Sequence, residues 1–303
     1  MNQITLSPID PTMKQAFTLV GVYGRDAIAE QIHKDIDEYC AKVYYEGPRS
    51  HLGASIIGHE CDRYIWFAFR WMFFEQFSGR MQRLFDRGKK EEARLAEWLR
   101  GIGFEVKLIN LDGMQFRVLF NEKHGGGSSD GITTLPQRYG TFLEPILLEF
   151  KTQKDKGFEK LQGSGFEKEK PRHFTQVSIY GRLLAIRYCL YIAINKQDDD
   201  LNVELVELDW DLADAELTKA DYIIKSRVPP RRISETPTWY LCKWCPANSI
   251  CHLNAPVQKN CRSCHYSTPV ENAEWHCGYW NGIIPKDFIP QGCDAFVPLH
   301  QLR

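Results

Sequence analysis

The chain has 303 residues, of which 43% are hydrophobic and 13% aromatic, enough for one large domain or a core domain with a smaller appendage. Its 38 Lys and Arg face 39 Asp and Glu, so net charge gives no ground for nucleic-acid or membrane binding, and any basic surface has to be local. The first residues show no basic start followed by an apolar stretch, and no run reaches the ~20 apolar residues of a membrane span. The chain therefore reads as soluble and cytoplasmic (the host cytoplasm if the source is a virus), with no membrane partner.

In chain order, residues 10–45 read as mainly helical, with a break near Gly21–Gly24. The aromatic stretch 61–77 reads as a buried helix. Residues 85–104 carry Ala93, Leu95, Ala96, Trp98 and Leu99 at helical spacing and end in glycines. Strands are expected at 104–110, 115–121, 129–135 and 145–151, with the glycine-rich HGGGSSDG between two of them. A polar loop is expected over 153–170, then a helix over 172–187, strands near 189–194 and 203–209, and a helix over 211–225. From 237 onward the composition shifts to Cys, Pro, Trp and Asn, marking a separate metal-dependent module. This order predicts an α/β or α+β fold, a mixed sheet with helices on its faces.

One strand carries charge where burial is expected. In EPILLEFKTQ, Glu149 and Lys151 alternate with Leu148 and Phe150, so the two charges share one face. A hairpin centred on Tyr139–Gly140 would set Asp130 directly opposite Glu149, with Cβ atoms roughly 5 Å apart. Two carboxylates so close repel unless a cation lies between them, and oxygen ligands suit Mg²⁺ or Mn²⁺. The bland alternative is a solvated face with a salt bridge.

Seven of the ten cysteines fall between 242 and 293, while Cys40 and Cys189 read as small core residues. Cys242, Cys245 and Cys251 form C-x2-C-x5-C, a metal half-site whose fourth ligand is His252 or the distant Cys61. Cys261, Cys264, Cys277 and Cys293 form C-x2-C-x12-C-x15-C. That set resembles a zinc ribbon, with His265, His276 and His300 as substitutes.

The D-x18-E-x-K pattern resembles the PD-(D/E)xK nuclease superfamily. Gln176 and Tyr180, four apart on a helix after it, resemble the Q-x3-Y signature of its RecB-type branch, and Gly88-x3-Glu92 resembles that branch's upstream metal-binding motif. Glu91 adjoins Glu92 and competes for that role. A subset of the branch, including CRISPR-associated exonucleases and AddB-like members, places one cysteine before the core and C-x2-C-x5-C after it. Those four hold a [4Fe–4S] cluster, which here implies Cys61, Cys242, Cys245 and Cys251, with zinc as the alternative.

The resemblance implies a restriction-endonuclease-like core over 55–255, between an N-terminal helical segment, 1–54, and a zinc-binding module, 256–303. It implies a metal-dependent DNA nuclease, a single-strand-preferring exonuclease in recombination, repair or phage DNA processing. Glu92, Asp130, Glu149 and the Phe150 carbonyl would hold Mg²⁺ or Mn²⁺. Lys151 would orient water or stabilise charge on the phosphate, and Gln176 and Tyr180 would engage DNA. The partner is then DNA, single-stranded or with free ends, with recombination or replication proteins and self-association as further partners. The 153–172 lysines and Arg227, Arg231 and Arg232 are candidate phosphate contacts. The alternatives are a non-catalytic DNA-binding protein stapled by metals and an endonuclease on the same fold.

Overall fold

The computed structural model describes residues 25–45, 47–140 and 144–299. The first part of the expected 10–45 helical segment and His300 lie outside the described residues. The chain divides into two compact units, one of residues up to Glu46 with Gln76–Asp86, the other of Gly47–Glu75 with Arg87–Arg303. In the first, helix α1 (Arg25–Val43) is joined to Arg83 by an Asp37 ion pair of 2.6 Å, and Phe77 packs edge-on against Phe85.

The second unit holds the site. Its elements run β1 (Leu52–Gly53), α2 (Ala54–Ile57), α3 (Asp62–Phe69), residues 87–101 of α4 (Gly79–Gly101), β2 (Arg117–Phe120), β3 (Gly125–Ser128), β4 (Gly131–Thr133) and β5 (Ile146–Gln153). There follow α5 (Asp155–Ser164), α6 (Phe166–Glu169), α7 (Pro171–Leu184), β6 (Tyr188–Asn195), β7 (Leu201–Glu207) and α8 (Trp210–Lys225). The Cys-rich end adds α9 (Tyr240–Lys243), α10 (Asn248–Leu253) and the strands β8 (Ser267–Pro269), β9 (Trp275–Cys277) and β10 (Gly282–Ile283). The fold is mixed α/β, as expected.

The main sheet has the order β4-β5-β6-β7. Strands β5 and β6 are parallel, and the outer pairs are antiparallel. A parallel pair needs a long crossover, supplied here by α5, α6 and α7. Alternation splits β5 between two cores. Ile146, Leu148 and Phe150, with Leu190 and Ile192, pack against Leu95, Ala96 and Leu99 of α4. Leu147, Cys189, Tyr191 and Ala193 pack with Phe174, Val177 and Tyr180 of α7. Glu149 and Lys151 share the α7 side because they share the parity of Leu147.

Several expected elements change. The loop over 153–170 is instead the end of β5 followed by α5 and α6, because Phe158 and Leu161, three apart, are buried together with Phe166. The helix over 61–77 stops at Phe69, and Trp71 takes a left-handed φ of 51°. The strand over 104–110 shrinks to isolated bridges at Lys107 and Ile109. The expected strand 129–135 is the short β4. The glycine run before it is not a connection but strand β3, between β1 and β2. A Cβ on Gly125 would overlap the Phe120 ring. No helix among the described residues is long and apolar enough to cross a membrane.

The C-terminal sheet β8-β9-β10 joins the rest of this unit through two arginines. Arg70 and Arg262 are 0% and 1% exposed, and among the described residues no acid acts on either charge. The Arg262 guanidinium lies 4.7 Å from the Phe69 ring, 4.5 Å from Trp71 and 4.7 Å from Trp275. Arg70 donates to the carbonyls of Ser267 and Ser226. Burial pulls both arginines below their ordinary pKa, Arg70 to about 9. Aromatic faces thus replace counter-ions, at about 2 kcal/mol for a desolvated contact. Arg262→Ala should cost ~2–4 kcal/mol through lost packing, whereas Arg262→Met, which keeps the length without the charge, should be near neutral; thermal unfolding of both checks this.

Candidate active site

The β4–β5 ladder pairs Gly131 with Leu148, Ile132 with Leu147 and Thr133 with Ile146. Continued by one rung, this register sets Asp130 against Glu149, the arrangement expected from the sequence. Beyond that last rung, the Asp130 Oδ2 accepts the Phe150 N–H at 2.7 Å. The backbone therefore fixes the carboxylate's position. Lys151 folds back between the two acids. Its Nζ is 2.5 Å from Glu149 Oε1 and 3.7 Å from Asp130 Oδ2, and it donates to the Phe150 carbonyl at 2.9 Å.

Glu149 is 0% exposed, and neither of its oxygens has a hydrogen-bond donor in good geometry, the close Lys151 contact included. Burial, opposed by Lys151 and reinforced by Asp130 and Glu92, pushes its pKa up to about 7. Burial and the Asp130 charge push Glu92, on α4, to about 7 as well. Glu92 therefore stands within electrostatic reach of the pair, while Glu91 is held by Arg94 at 2.7 Å. For Lys151, burial works against the charge, but the Glu149 and Asp130 carboxylates outweigh it and hold the ammonium above its ordinary pKa.

Helix α7 closes the site from the other side. Gln176 donates from Nε2 to the Tyr180 hydroxyl at 3.2 Å, as the Q-x3-Y spacing requires. Burial and the Glu149 charge raise the Tyr180 pKa, so the phenol keeps its proton. The sequence reading missed His173, on the same helix face as Gln176 and Tyr180 by its spacing of three and seven. Its Nδ1 is buried without a partner, and burial, then Lys151, push its pKa down to about 4. It also missed Tyr191, which pairs in register with Glu149 and whose hydroxyl is buried unpaired. Helical spacing marked His173; nothing in the sequence marked Tyr191.

The carboxylates of Glu92, Asp130 and Glu149 and the Phe150 carbonyl are the hard oxygen donors a divalent cation takes. The buried Glu149 oxygens, which no well-aligned donor satisfies, fit that use. Among the described residues, no three His, Cys, Asp or Glu side chains are arranged to hold a metal ion as they stand, and Lys151 fills the space between Asp130 and Glu149.

No protein-family model and no curated protein matches the chain. Among solved structures, the chain is similar to SSO0001, at 15% identity and a TM-score of 0.42, over 74% of this chain and 98% of that one. It is also similar to an alkaline exonuclease from Laribacter hongkongensis, at 16% identity and a TM-score of 0.37, over 59% of this chain and 89% of that one. That enzyme in complex with dAMP matches at the same TM-score, over 57% and 86%. Likeness this distant leaves the function to the chemistry of the site.

The cysteines of each set line a common cavity, without standing at metal-ligand geometry among the described residues. Cys61, Cys242, Cys245 and Cys251 line one small cavity of about 20 Å³, with Arg63, Arg232 and His252 on its wall. Burial, then the Cys61 charge, pushes the Cys245 thiol to about 11. Cys261, Cys264, Cys277 and Cys293 line a second cavity of about 450 Å³, which His276 does not line. There burial, then Cys293, raises Cys261 to about 11. Two of the three arginines expected to meet phosphate are otherwise engaged. Arg227 donates to the His265 carbonyl, and Arg232 to the Cys251 carbonyl and to Glu235.

The Glu149 shift has a measurable sign. Folding raises this acid from 4.5 to about 7, so its contribution is full below pH 4.5 and is lost as pH rises toward 7. Glutamine loses nothing over that window. In EDTA, the thermal midpoint of Glu149→Gln minus that of wild type should increase from about pH 5 to about pH 8. A flat difference would mean that Glu149 ionises normally.

Proposed function

We propose that this chain is a divalent-cation-dependent deoxyribonuclease, a single-strand-preferring exonuclease. One observation carries the reading: Asp130 and Glu149 meet across a single rung with the Lys151 ammonium between them, and Glu149 is wholly buried. Two acids and a lysine packed together out of water weaken a fold, so their presence points to chemistry.

Glu92, Asp130, Glu149 and the Phe150 carbonyl would hold Mg²⁺ or Mn²⁺. The ion supplies a water of lowered pKa and neutralises phosphate charge. The chain's own groups do the rest. The Phe150 N–H keeps Asp130 aimed at the site. Lys151 stays an ammonium, so it stabilises negative charge on the attacked phosphate rather than accepting a proton. The protonated Tyr180, its oxygen already engaged by Gln176, offers its O–H to the strand.

The chemistry of the two cysteine sets suits soft metals. Cys61, Cys242, Cys245 and Cys251 would hold a [4Fe–4S] cluster, and Cys261, Cys264, Cys277 and Cys293 a zinc ion. Burial, then the charge of a neighbouring cysteine, raises the Cys245 and Cys261 thiols, and a bound metal would offset that cost. Cys61→Ser should lose iron, by metal analysis and visible absorption, and lower the thermal midpoint. A variant with unchanged metal content would remove Cys61 from the ligand set.

The activity is tested by digesting an end-labelled single strand and a closed circle in Mn²⁺ and in EDTA. Asp130→Ala, Glu149→Ala and Lys151→Ala should each lower the rate by ~10³-fold or more while leaving the circular dichroism spectrum unchanged. Cutting of the circle would make the enzyme an endonuclease. Inactive, metal-loaded wild type would leave a DNA-binding protein.

A further inference from the structure

The glycine run of β3 is unexplained by backbone strain. None of Gly125, Gly126 and Gly127 has a φ in the left-handed region, so a side chain is conformationally allowed at each. Space decides instead. A Cβ on Gly127 would lie 2.7 Å from Tyr180 Cε1, 2.8 Å from Cζ and nearer still to the hydroxyl oxygen. Tyr180 is 3% exposed and packed in the core, so a side chain at 127 can be admitted only by displacing the ring from its packed position. The next residue along the strand behaves differently. A Cβ on Gly126 would meet Leu119 Cδ2 and the Val118 carbonyl at 3.1 Å, on the opposite face, and would touch nothing of α7.

We infer that Gly127 is a positioning residue of the site: its missing side chain forms the slot in which the Tyr180 phenol lies, and so sets where that hydroxyl points. The inference deepens the nuclease reading and rests on it for its catalytic consequence. Its structural part stands alone. Helix α7 meets the sheet at a depth that only a glycine at 127 permits. Any side chain there pushes the phenol away, breaks the 3.2 Å Gln176–Tyr180 hydrogen bond and moves both groups from the strand-binding face.

The test is a double-mutant cycle with a readout independent of catalysis. Gly127→Ala and Tyr180→Phe should each lower kcat/KM on a labelled single strand by about tenfold, and the double variant should fall no further than the worse single one. Gly126→Ala, whose new contacts ask only for small shifts, should cost less stability than Gly127→Ala and keep kcat/KM within about twofold of wild type. In protein with ¹³C-labelled tyrosine, the Tyr180 ring resonance, assigned by its loss in Tyr180→Phe, should shift in Gly127→Ala and stay in place in Gly126→Ala. Independent losses of about a hundredfold in the double variant, or an unmoved ring resonance, would overturn the inference. If the wild type cleaves nothing, the nuclease reading fails, and the resonance alone decides the slot.

Discussion

A wholly buried carboxylate in the middle of a sheet is the constraint around which this unit is arranged. Glu149 sits on β5 with no exposure to solvent. Ionised, it would be very costly in such surroundings, and burial holds its pKa near neutrality. Lys151, two residues on and on the same face, lies 2.5 Å away and supplies the compensating charge. Asp130 then adds a second negative group, held in place by a backbone N–H. Glu92 adds a third acid, opposed by the charges of Lys151 and Lys89, so three acids stand against two lysines. That excess is the electrostatic argument for a cation.

The sheet delivers these groups by elementary geometry. Alternation along β5 sends the apolar set toward α4 and the charged set toward α7. The parallel β5–β6 pair forces a crossover, and the crossover ends in α7, which carries His173, Gln176 and Tyr180 along one face. Strand β3 approaches the same helix closely enough that its residue 127 has no room for a side chain. The candidate site is therefore assembled from the β4–β5 hairpin, α4 and α7, which lie apart in sequence.

The Cys-rich end uses different physics. Two guanidinium groups are buried among Trp66, Phe69, Trp71 and Trp275 without acids to pair with, and their charge is met by ring faces and carbonyls. The eight clustered cysteines line two cavities. Small β modules of this kind bury too little apolar surface to be stable alone, which is why cross-links by cation–π contact or metal recur in them.

Local periodicity and spacing made much of this legible. The charge on the 145–151 strand, the Asp130–Glu149 register and the Gln176–Tyr180 pair follow from residue types at fixed intervals, because strands repeat every two residues and helices every 3.6, while the grouping of Cys61 with the later cysteines comes from the family resemblance. The 155–169 helices escaped notice because their surface is polar and their few buried residues, Phe158, Leu161 and Phe166, matter only against a partner layer. Glycine weakens a strand, so the glycine run reads in the sequence as a connection. Tertiary structure alone reverses that reading, since the approach of Phe120 from the paired β2 and of Tyr180 from α7 makes the missing side chains necessary. The burial of Glu149, the place of Lys151 between two acids, and the joining of His173 and Tyr191 to the site were likewise decided by packing. A pKa and a cavity depend on what surrounds a residue in space, and sequence records only what precedes and follows it.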